Sequence, residues 1–352
     1  MQKKAVHGIF YLAIKINQRG QHKHMINYIS DNQKWQEFLE DYKIINGKKK
    51  RVNWESHKLS TFKLSDSYDR LGNERKAERE SKCGDYLQFK QLDDGELRLH
   101  RANFCKVRLC PMCAWRRSLK VFAQVSKIMT AFEADNPDCT YLFLTLTCRN
   151  VVADELSAQI DNLMAGFKAL QKDKRFVGLA LGWFRCLEVT HNLQADTYHP
   201  HYHVVFAVRE TNYFLEHYMT KPKWSEMWQQ CLGVDYTPVV DIRRFRASRR
   251  GAGREVAEVA KYAVKPTDYL IDGDEQRTDE TVVVLDIALA HRRLVAFGGA
   301  FKRLHKLLNL DDVDDGDLVH TDIDDMRDDV GEMILHYCWH VGYKRYVLMS
   351  DD

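Results

Sequence analysis

The residues best suited to chemistry are two histidines in His201-Tyr202-His203-Val204-Val205-Phe206. In a strand, residues two apart share a face. His201 and His203 therefore project together, while Tyr202, Val204 and Phe206 project the other way, into a core. Two adjacent imidazoles form half of a divalent metal site. His199 has the same parity, although Pro200 interrupts the strand. A third ligand is expected from a neighbouring strand. Glu188 in CLEVT fits, because it stands between Cys186 and Thr190 where alternation would otherwise call for an apolar or small residue. The pattern H-x-H also arises by accident on exposed strands, so the reading depends on what lies downstream.

Downstream lies EVAEVAKY (255–262), with Glu258 and Tyr262 at i and i+4 on one helix face and Val256, Val259, Ala260 and Ala263 free to pack inward. A phenol with a pKa of about 10 is a poor nucleophile at neutral pH. A metal that polarises a phosphate would ease its attack and leave a covalent intermediate. A carboxylate one turn away could instead activate water. Tyr269, beyond Pro266, is the rival nucleophile, and Glu255 is the rival base. The plain alternative is a surface glutamate and a packed tyrosine.

Cys105-x4-Cys110-x2-Cys113 contains a Cys-Pro-x-Cys knuckle, a spacing at which tetrahedral zinc takes thiolates. Cys83 in KCGDYLQF is the natural fourth ligand, with His100 as the alternative and buried free thiols as the competing reading. Arg116 and Arg117 follow directly, so such a unit would carry positive charge to DNA or serve only to staple the fold. Residues 243–254 (RRFRASRRGAGR) hold six arginines around a Gly-x-Gly. Arg243, Arg244, Arg246, Arg249 and Arg250, with Lys261 close behind, suit phosphate contacts, and a solvated loop is the alternative.

The elements that must position these groups follow from periodicity. YLFLTLTCRNV (141–151), GWFRCLEVTHN (182–192) and HPHYHVVFAVR (199–209) read as strands, and YTPVVDIRRF (236–245) as a fourth. LKVFAQVSKIMTAFEADNPD and ADELSAQIDNLMAGFKALQKD read as helices, as do NYFLEHYMTKPKWSEMWQQCL and DNQKWQEFLEDYKIIN. The final HYCWHVGYKRYVLM alternates like a strand. The division expected is a basic region over 1–80, a zinc-binding unit and helix over 81–135, a catalytic domain over 136–306 and an acidic segment over 307–352 that ends in a strand. The fold class is α+β.

Composition narrows the function. The chain has 352 residues, 45% hydrophobic and 29% charged, as expected of a globular protein, and no apolar run long enough to span a membrane. No signal peptide is expected. The nine cysteines, three of them clustered and the rest scattered, argue for a reducing cytoplasm with one local metal site. Residues 1–130 carry 27 Lys/Arg against 14 Asp/Glu, and residues 307–352 carry 3 against 13. A basic front with an acidic tail suits a polyanionic partner, plausibly nucleic acid.

The order of motifs is FLTLT, EVTHN, HPHYHVVF, EVAKY. With FCKVRLCPMCAWRRS before it and LVAFGGAFKRLHKLLNLDD after, it resembles the rolling-circle replication initiators of small plasmids from Gram-positive bacteria. These belong to the HUH endonuclease superfamily. The resemblance covers roughly residues 80 to 347. It implies a central antiparallel sheet flanked by helices, with the histidines on a middle strand. It implies that His201, His203 and Glu188 hold Mg²⁺ or Mn²⁺, with His199 making the ligand set ambiguous. A histidine-rich site tolerates Mn²⁺ better. It further implies that Tyr262 forms a 5′-phosphotyrosine and frees a 3′-OH primer, and that Glu258 activates water at termination. The implied partners are the plasmid double-strand origin, single-stranded or extruded at the nick, and the host helicase and replication machinery. The alternatives are an HUH transposase or relaxase, a zinc-containing DNA-binding regulator and, more distantly, a small-molecule metallohydrolase.

Overall fold

The computed structural model describes residues 37–45, 48–93, 95–215, 217–245, 256, 260, 263–321 and 333–349. In chain order, a hairpin of β1 (Tyr42–Ile45) and β2 (Lys48–Arg51) leads into helices α1 (Trp54–Arg70) and α2 (Glu74–Ser81). Strands β3 (Tyr86–Gln91) and β4 (Leu97–Ala102) precede the long helix α3 (Pro111–Asp135) and β5 (Cys139–Thr147). Helices α4 (Leu156–Leu170) and α5 (Lys174–Leu179) lead to β6 (Gly182–Asn192) and β7 (Thr197–Arg209). After α6 (Glu210–Leu215), α7 (Lys221–Leu232) and β8 (Val240–Phe245) come α8 (Glu275–Leu289), β9 (Val295–Gly298) and α9 (Gly299–Leu307). The strands β10 (Met333–His340) and β11 (Arg345–Leu348) close the chain.

The strands whose alternation is legible in sequence form a five-stranded sheet in the order β8-β5-β7-β6-β9, with every pairing antiparallel. The histidine strand β7 is its centre. Both faces are covered. Leu142, Leu144, Tyr202, Val204 and Phe206 pack with α4 and α7, where Phe167 meets Tyr202 and Trp224 meets Phe206. Phe143, Phe184, Cys186, Val205 and Ala207 pack with Val125 and Phe132 of α3 and Phe301 of α9. Only the far end of this second face is polar, and there Thr145, Glu188, His201 and His203 lie. Pro200 does not break β7, because it falls beyond the last β5 pair, Thr147↔His201, where no ladder bond on that side is lost. Gly299 makes the β9-to-α9 corner: its φ is +56°, and a Cβ there would stand 2.6 Å from the Leu181 carbonyl oxygen.

A second antiparallel sheet, β11-β10-β3-β4, pairs the last two strands with the hairpin that precedes α3. The expected terminal strand is a hairpin, turned at Val341–Lys344, and β10 pairs with β3 from Met333↔Gln91 to Cys338↔Tyr86. Two other expectations differ. Tyr42–Ile45 is a strand rather than part of a helix, because β2 offers it an antiparallel partner. The helix expected across 212–232 is two, since Pro222 suits the first turn of a new helix at α7. The region over 1–80 also contains α1 and α2. The buried stripe of α1 is Trp54, Lys58, Thr61, Ser65 and Tyr68, a helical spacing with three polar members. The Lys58 ammonium is satisfied by the carbonyls of Ser81 and Cys83 and by Asp85. No helix among the described residues is long and apolar enough to cross a membrane.

His57 of α1 stacks on Trp115 of α3, with centroids 4.5 Å apart, and burial pulls its pKa from 6.5 down to about 4. A histidine held neutral supports folding fully above its unfolded pKa, and that support fades as pH falls through the folded value. Wild type is therefore expected to lose up to about 3 kcal/mol more stability than His57→Gln between pH 6.5 and 4. Denaturant titrations at the two pH values check this.

Candidate active site

The site is built from the β6–β7 ladder. Glu188 opposes His201 directly and Cys186 opposes His203, so the carboxylate and both imidazoles share one face. His203 Nε2 lies 3.0 Å from Glu188 Oε2, and His201 Nε2 lies 3.5 Å from the same oxygen. The three ligand atoms fall within 4.8 Å of one another. Glu188 and His201 are 6% and 7% exposed. Burial alone would raise the Glu188 pKa, but the hydrogen bonds and charges of His201 and His203 outweigh it and hold the carboxyl well below the usual range.

The outer ring nitrogens are also fixed. His201 Nδ1 is 3.0 Å from the His199 carbonyl, which can only accept, and His203 Nδ1 is 3.2 Å from Thr145 Oγ1. A proton on His201 Nδ1 lets its Nε2 turn a lone pair toward the carboxylate, and His203 can do the same where its Nδ1 donates to Thr145, an arrangement that suits a cation between them. Glu188, His201 and His203 could thus hold a hard or borderline divalent ion. His199 stands apart from this group. Its Nδ1 is 2.7 Å from Asn150 Oδ1, and burial beside His201 lowers its pKa to about 4.

Tyr262, Glu258, Glu255, Lys261, Arg246, Arg249 and Arg250 lie outside the described residues. Their described neighbours are well anchored. Val256 and Ala260, joined by a helical Ala260 N–H to Val256 carbonyl bond of 2.8 Å, are buried in the apolar cluster that holds Phe143 and Cys186. Ala263, next after Tyr262, accepts from Val189 N–H at 2.8 Å, one residue from Glu188. Lys265 reaches to 3.8 Å from Glu188 Oε1. Sequence reading missed Lys265, whose only signal is its place three residues beyond Tyr262. Tyr269 is buried, and its hydroxyl donates to the Leu109 carbonyl at 2.5 Å, which ties this segment to the cysteine knuckle.

That knuckle gathers Cys83, Cys105, Cys110 and Cys113. Sulfur separations of 3.5 Å (Cys83–Cys110), 3.6 Å (Cys83–Cys113) and 3.7 Å (Cys105–Cys113) are far longer than a disulfide bond. They lie close to the ~3.8 Å edge of a tetrahedron with metal–sulfur bonds of about 2.3 Å. Main-chain N–H groups of Cys105, Lys106, Val107 and Cys113 donate to the sulfurs, which suits thiolates. His100, the alternative fourth ligand, is not among the gathered residues.

The described arginines expected to contact DNA divide into a buried pair and an exposed pair. Arg116 and Arg117 are buried at 3% and 9% exposure. Arg116 donates to the Leu318 and Val319 carbonyls, and Arg117 to those of Asp314 and Lys106. Their guanidinium groups hold the acidic segment and the knuckle, so they do not face a nucleic acid. Arg243 is exposed over the Phe143 ring beside Asp241, and Arg244 pairs with Glu210.

A family model described as Replication protein matches residues 96–347. The chain belongs to that family. A "Protein rep" from Bacillus amyloliquefaciens is 40% identical over 335 residues, covering 88% of this chain and 98% of that protein. A "Protein rep" from a Bacillus species is 45% identical over 262 residues (70% and 84%). One from Streptococcus pneumoniae serotype 2 is 38% identical over 317 residues (88% and 96%). No solved structure matches. The resemblance to plasmid replication initiators of Gram-positive bacteria is thereby supported, and with it a role in replication initiation.

The Thr145 contact yields a test. Thr145→Val removes the partner of His203 Nδ1 and is expected to weaken Mn²⁺ binding about 10- to 100-fold. Asn150→Ala, which removes contacts to His199 and Thr197 but none to Glu188, His201 or His203, is expected to leave it within about twofold. Calorimetric Mn²⁺ titration reads both.

Proposed function

We propose that this replication initiator nicks one strand of its plasmid origin through Tyr262. The observation that carries the reading is the convergence of Glu188, His201 and His203 on one point, with the chain just after Tyr262 hydrogen-bonded to the strand that bears Glu188. Mg²⁺ or Mn²⁺ held by these three side chains would polarise the scissile phosphate. The Tyr262 hydroxyl oxygen attacks phosphorus, the bond from phosphorus to the 3′ oxygen breaks, and the tyrosine proton is balanced by the new 3′-OH. The enzyme keeps a 5′-phosphotyrosine ester. Because ester replaces ester, the nick can be resealed without a nucleotide cofactor. Lys265, beside Glu188, is placed to meet a phosphate oxygen. At the end of the round Glu258 takes a proton from water, the resulting hydroxide attacks phosphorus at the regenerated nick site and expels its 3′ oxygen, and that 3′-OH attacks the phosphotyrosine, so that a phosphodiester replaces the tyrosine ester and the proton returns to Tyr262. The four cysteines hold structural zinc, and host helicase and replication machinery are the expected protein partners in the cytoplasm.

A denaturing-gel adduct assay with Mn²⁺ and labelled single-stranded origin oligonucleotides tests the nucleophile. Tyr262→Phe is expected to abolish the protein–DNA band, and Tyr269→Phe to keep it while losing about 1 kcal/mol of stability with its buried hydrogen bond. A band lost only in Tyr269→Phe moves the nucleophile, and no band in any lane with DNA binding retained favours a non-catalytic regulator.

The zinc assignment predicts one zinc per chain by native mass spectrometry. Cys110→Ser is expected to lose that ion and at least ~3 kcal/mol of stability.

A further inference from the structure

A cavity of about 280 Å³ opens between the β1–β2 hairpin, α1 and the start of α3, away from the histidine site. Its walls are aromatic. Trp54 and Phe89 are buried behind it, the Trp54 ring meets Trp115 edge-on at 4.7 Å, and His57 lies parallel to Trp115. Its rim is cationic: Lys43, Lys50 and Arg51 come from the hairpin, and Asp41 is the single acid in the lining. Lys43 pairs with Glu96 and Arg51 with Glu55, whereas Lys50 is exposed at the end of the run Lys48-Lys49-Lys50-Arg51. Asn53 stands at the N-cap of α1, yet its side chain makes no capping bond, unlike Asn73 and Asp274 at α2 and α8. Its amide is exposed at the cavity and free to read a base edge.

We propose that this cavity binds one unpaired nucleotide of the origin DNA. The base lies against the His57–Trp115 aromatic wall, and its phosphate meets Lys50 and the hairpin cations. Aromatic faces accept any base by stacking, and a basic rim tracks the backbone. A neutral His57 ring serves as a stacking surface and leaves charge to the rim. Flat aromatic walls, a cationic rim and an unused amide together match a nucleotide better than an apolar peptide or an acidic chain without rings. The inference rests on the reading that the protein acts on origin DNA. It assigns single-strand contact to a surface separate from the nicking residues.

The test uses the full-length protein without divalent metal. Fluorescence anisotropy would compare labelled oligo(dT) with a labelled duplex of the same length, for wild type, Trp115→Leu, Asn53→Ala and Lys50→Ala. Trp115→Leu is expected to lose about tenfold in oligo(dT) affinity and to change little on duplex. Lys50→Ala is expected to reduce the salt slope of oligo(dT) binding by about one. Adduct formation on a short nick-site oligonucleotide is expected to stay within about twofold in every variant. Wild-type oligo(dT) affinity in all three variants would overturn the proposal, as would equal losses on single strand and duplex. Should Trp115→Leu fail to fold, Asn53→Ala and Lys50→Ala, both on exposed positions, decide the matter alone. If wild type forms no adduct but the single-strand losses appear as stated, the nicking reading fails and this cavity stands.

Discussion

The site depends on one cross-strand register, Glu188 opposite His201. A strand alternates with period two, so a slip of one residue would turn Glu188 away and bring Leu187 or Val189 onto the histidine face. Both faces of β6 and β7 are packed with large apolar side chains over most of their length. Any slip would therefore send two apolar sets to the wrong side at once. The tight turn after Asn192 adds to this, since Asp196, with φ of +50°, accepts His191 Nε2 at 2.9 Å and closes the hairpin in one register. The core thus fixes the chemistry.

The β6 edge carries the next layer. β9 pairs with residues 183–186, the Leu294 carbonyl accepts from Leu187, and the Ala263 carbonyl accepts from Val189. The segment after Tyr262 thereby serves as the outer partner of the strand that holds Glu188, and it blunts an edge that would otherwise be open. Tyr269 extends this segment to the Leu109 carbonyl inside the cysteine knuckle. The knuckle is in turn gripped by Lys58 from α1, and the Tyr346 hydroxyl of β11 donates to the Gly84 carbonyl. Helix α1 and the β10–β11 hairpin meet on the cysteine loop, and the cysteine loop braces the segment beside the histidine face.

Much of the site was legible in sequence because its signals are periodic. H-x-H, Glu188 and the four cysteines depend on short spacings that local structure preserves. Illegible were features set by long-range pairing. The buried stripe of α1 hides Lys58, Thr61 and Ser65, which are satisfied by distant carbonyls, by the Asp85 carboxylate or by backbone within the helix. The basic front and acidic tail pointed toward a polyanion, yet much of that charge is spent within the molecule. Lys120 is buried against Asp311 and the Asp312 and Asp317 carbonyls, Arg70 pairs with Asp279, and Lys76 with Asp286. Counting charges along a chain cannot separate those that meet each other from those that meet a partner. Arg116 and Arg117 are the clearest case, read as DNA contacts and found as internal donors.

His201 commits its outer nitrogen as a donor to the His199 carbonyl, while the His203–Thr145 contact can run in either direction, so the inner nitrogens meet Glu188 either as lone pairs or as N–H donors. Where an inner nitrogen carries a proton it donates to the carboxylate, and a metal of the kind proposed would have to displace that proton. With none, the three donors repel until a cation arrives. In either state the divalent ion proposed above would meet the same three donors without requiring the strands to move. The rigid β6–β7 ladder therefore supplies a preorganised set of donors. Ala263 and Lys265 are tied to that ladder by the Val189–Ala263 bond and the Lys265 contact with Glu188.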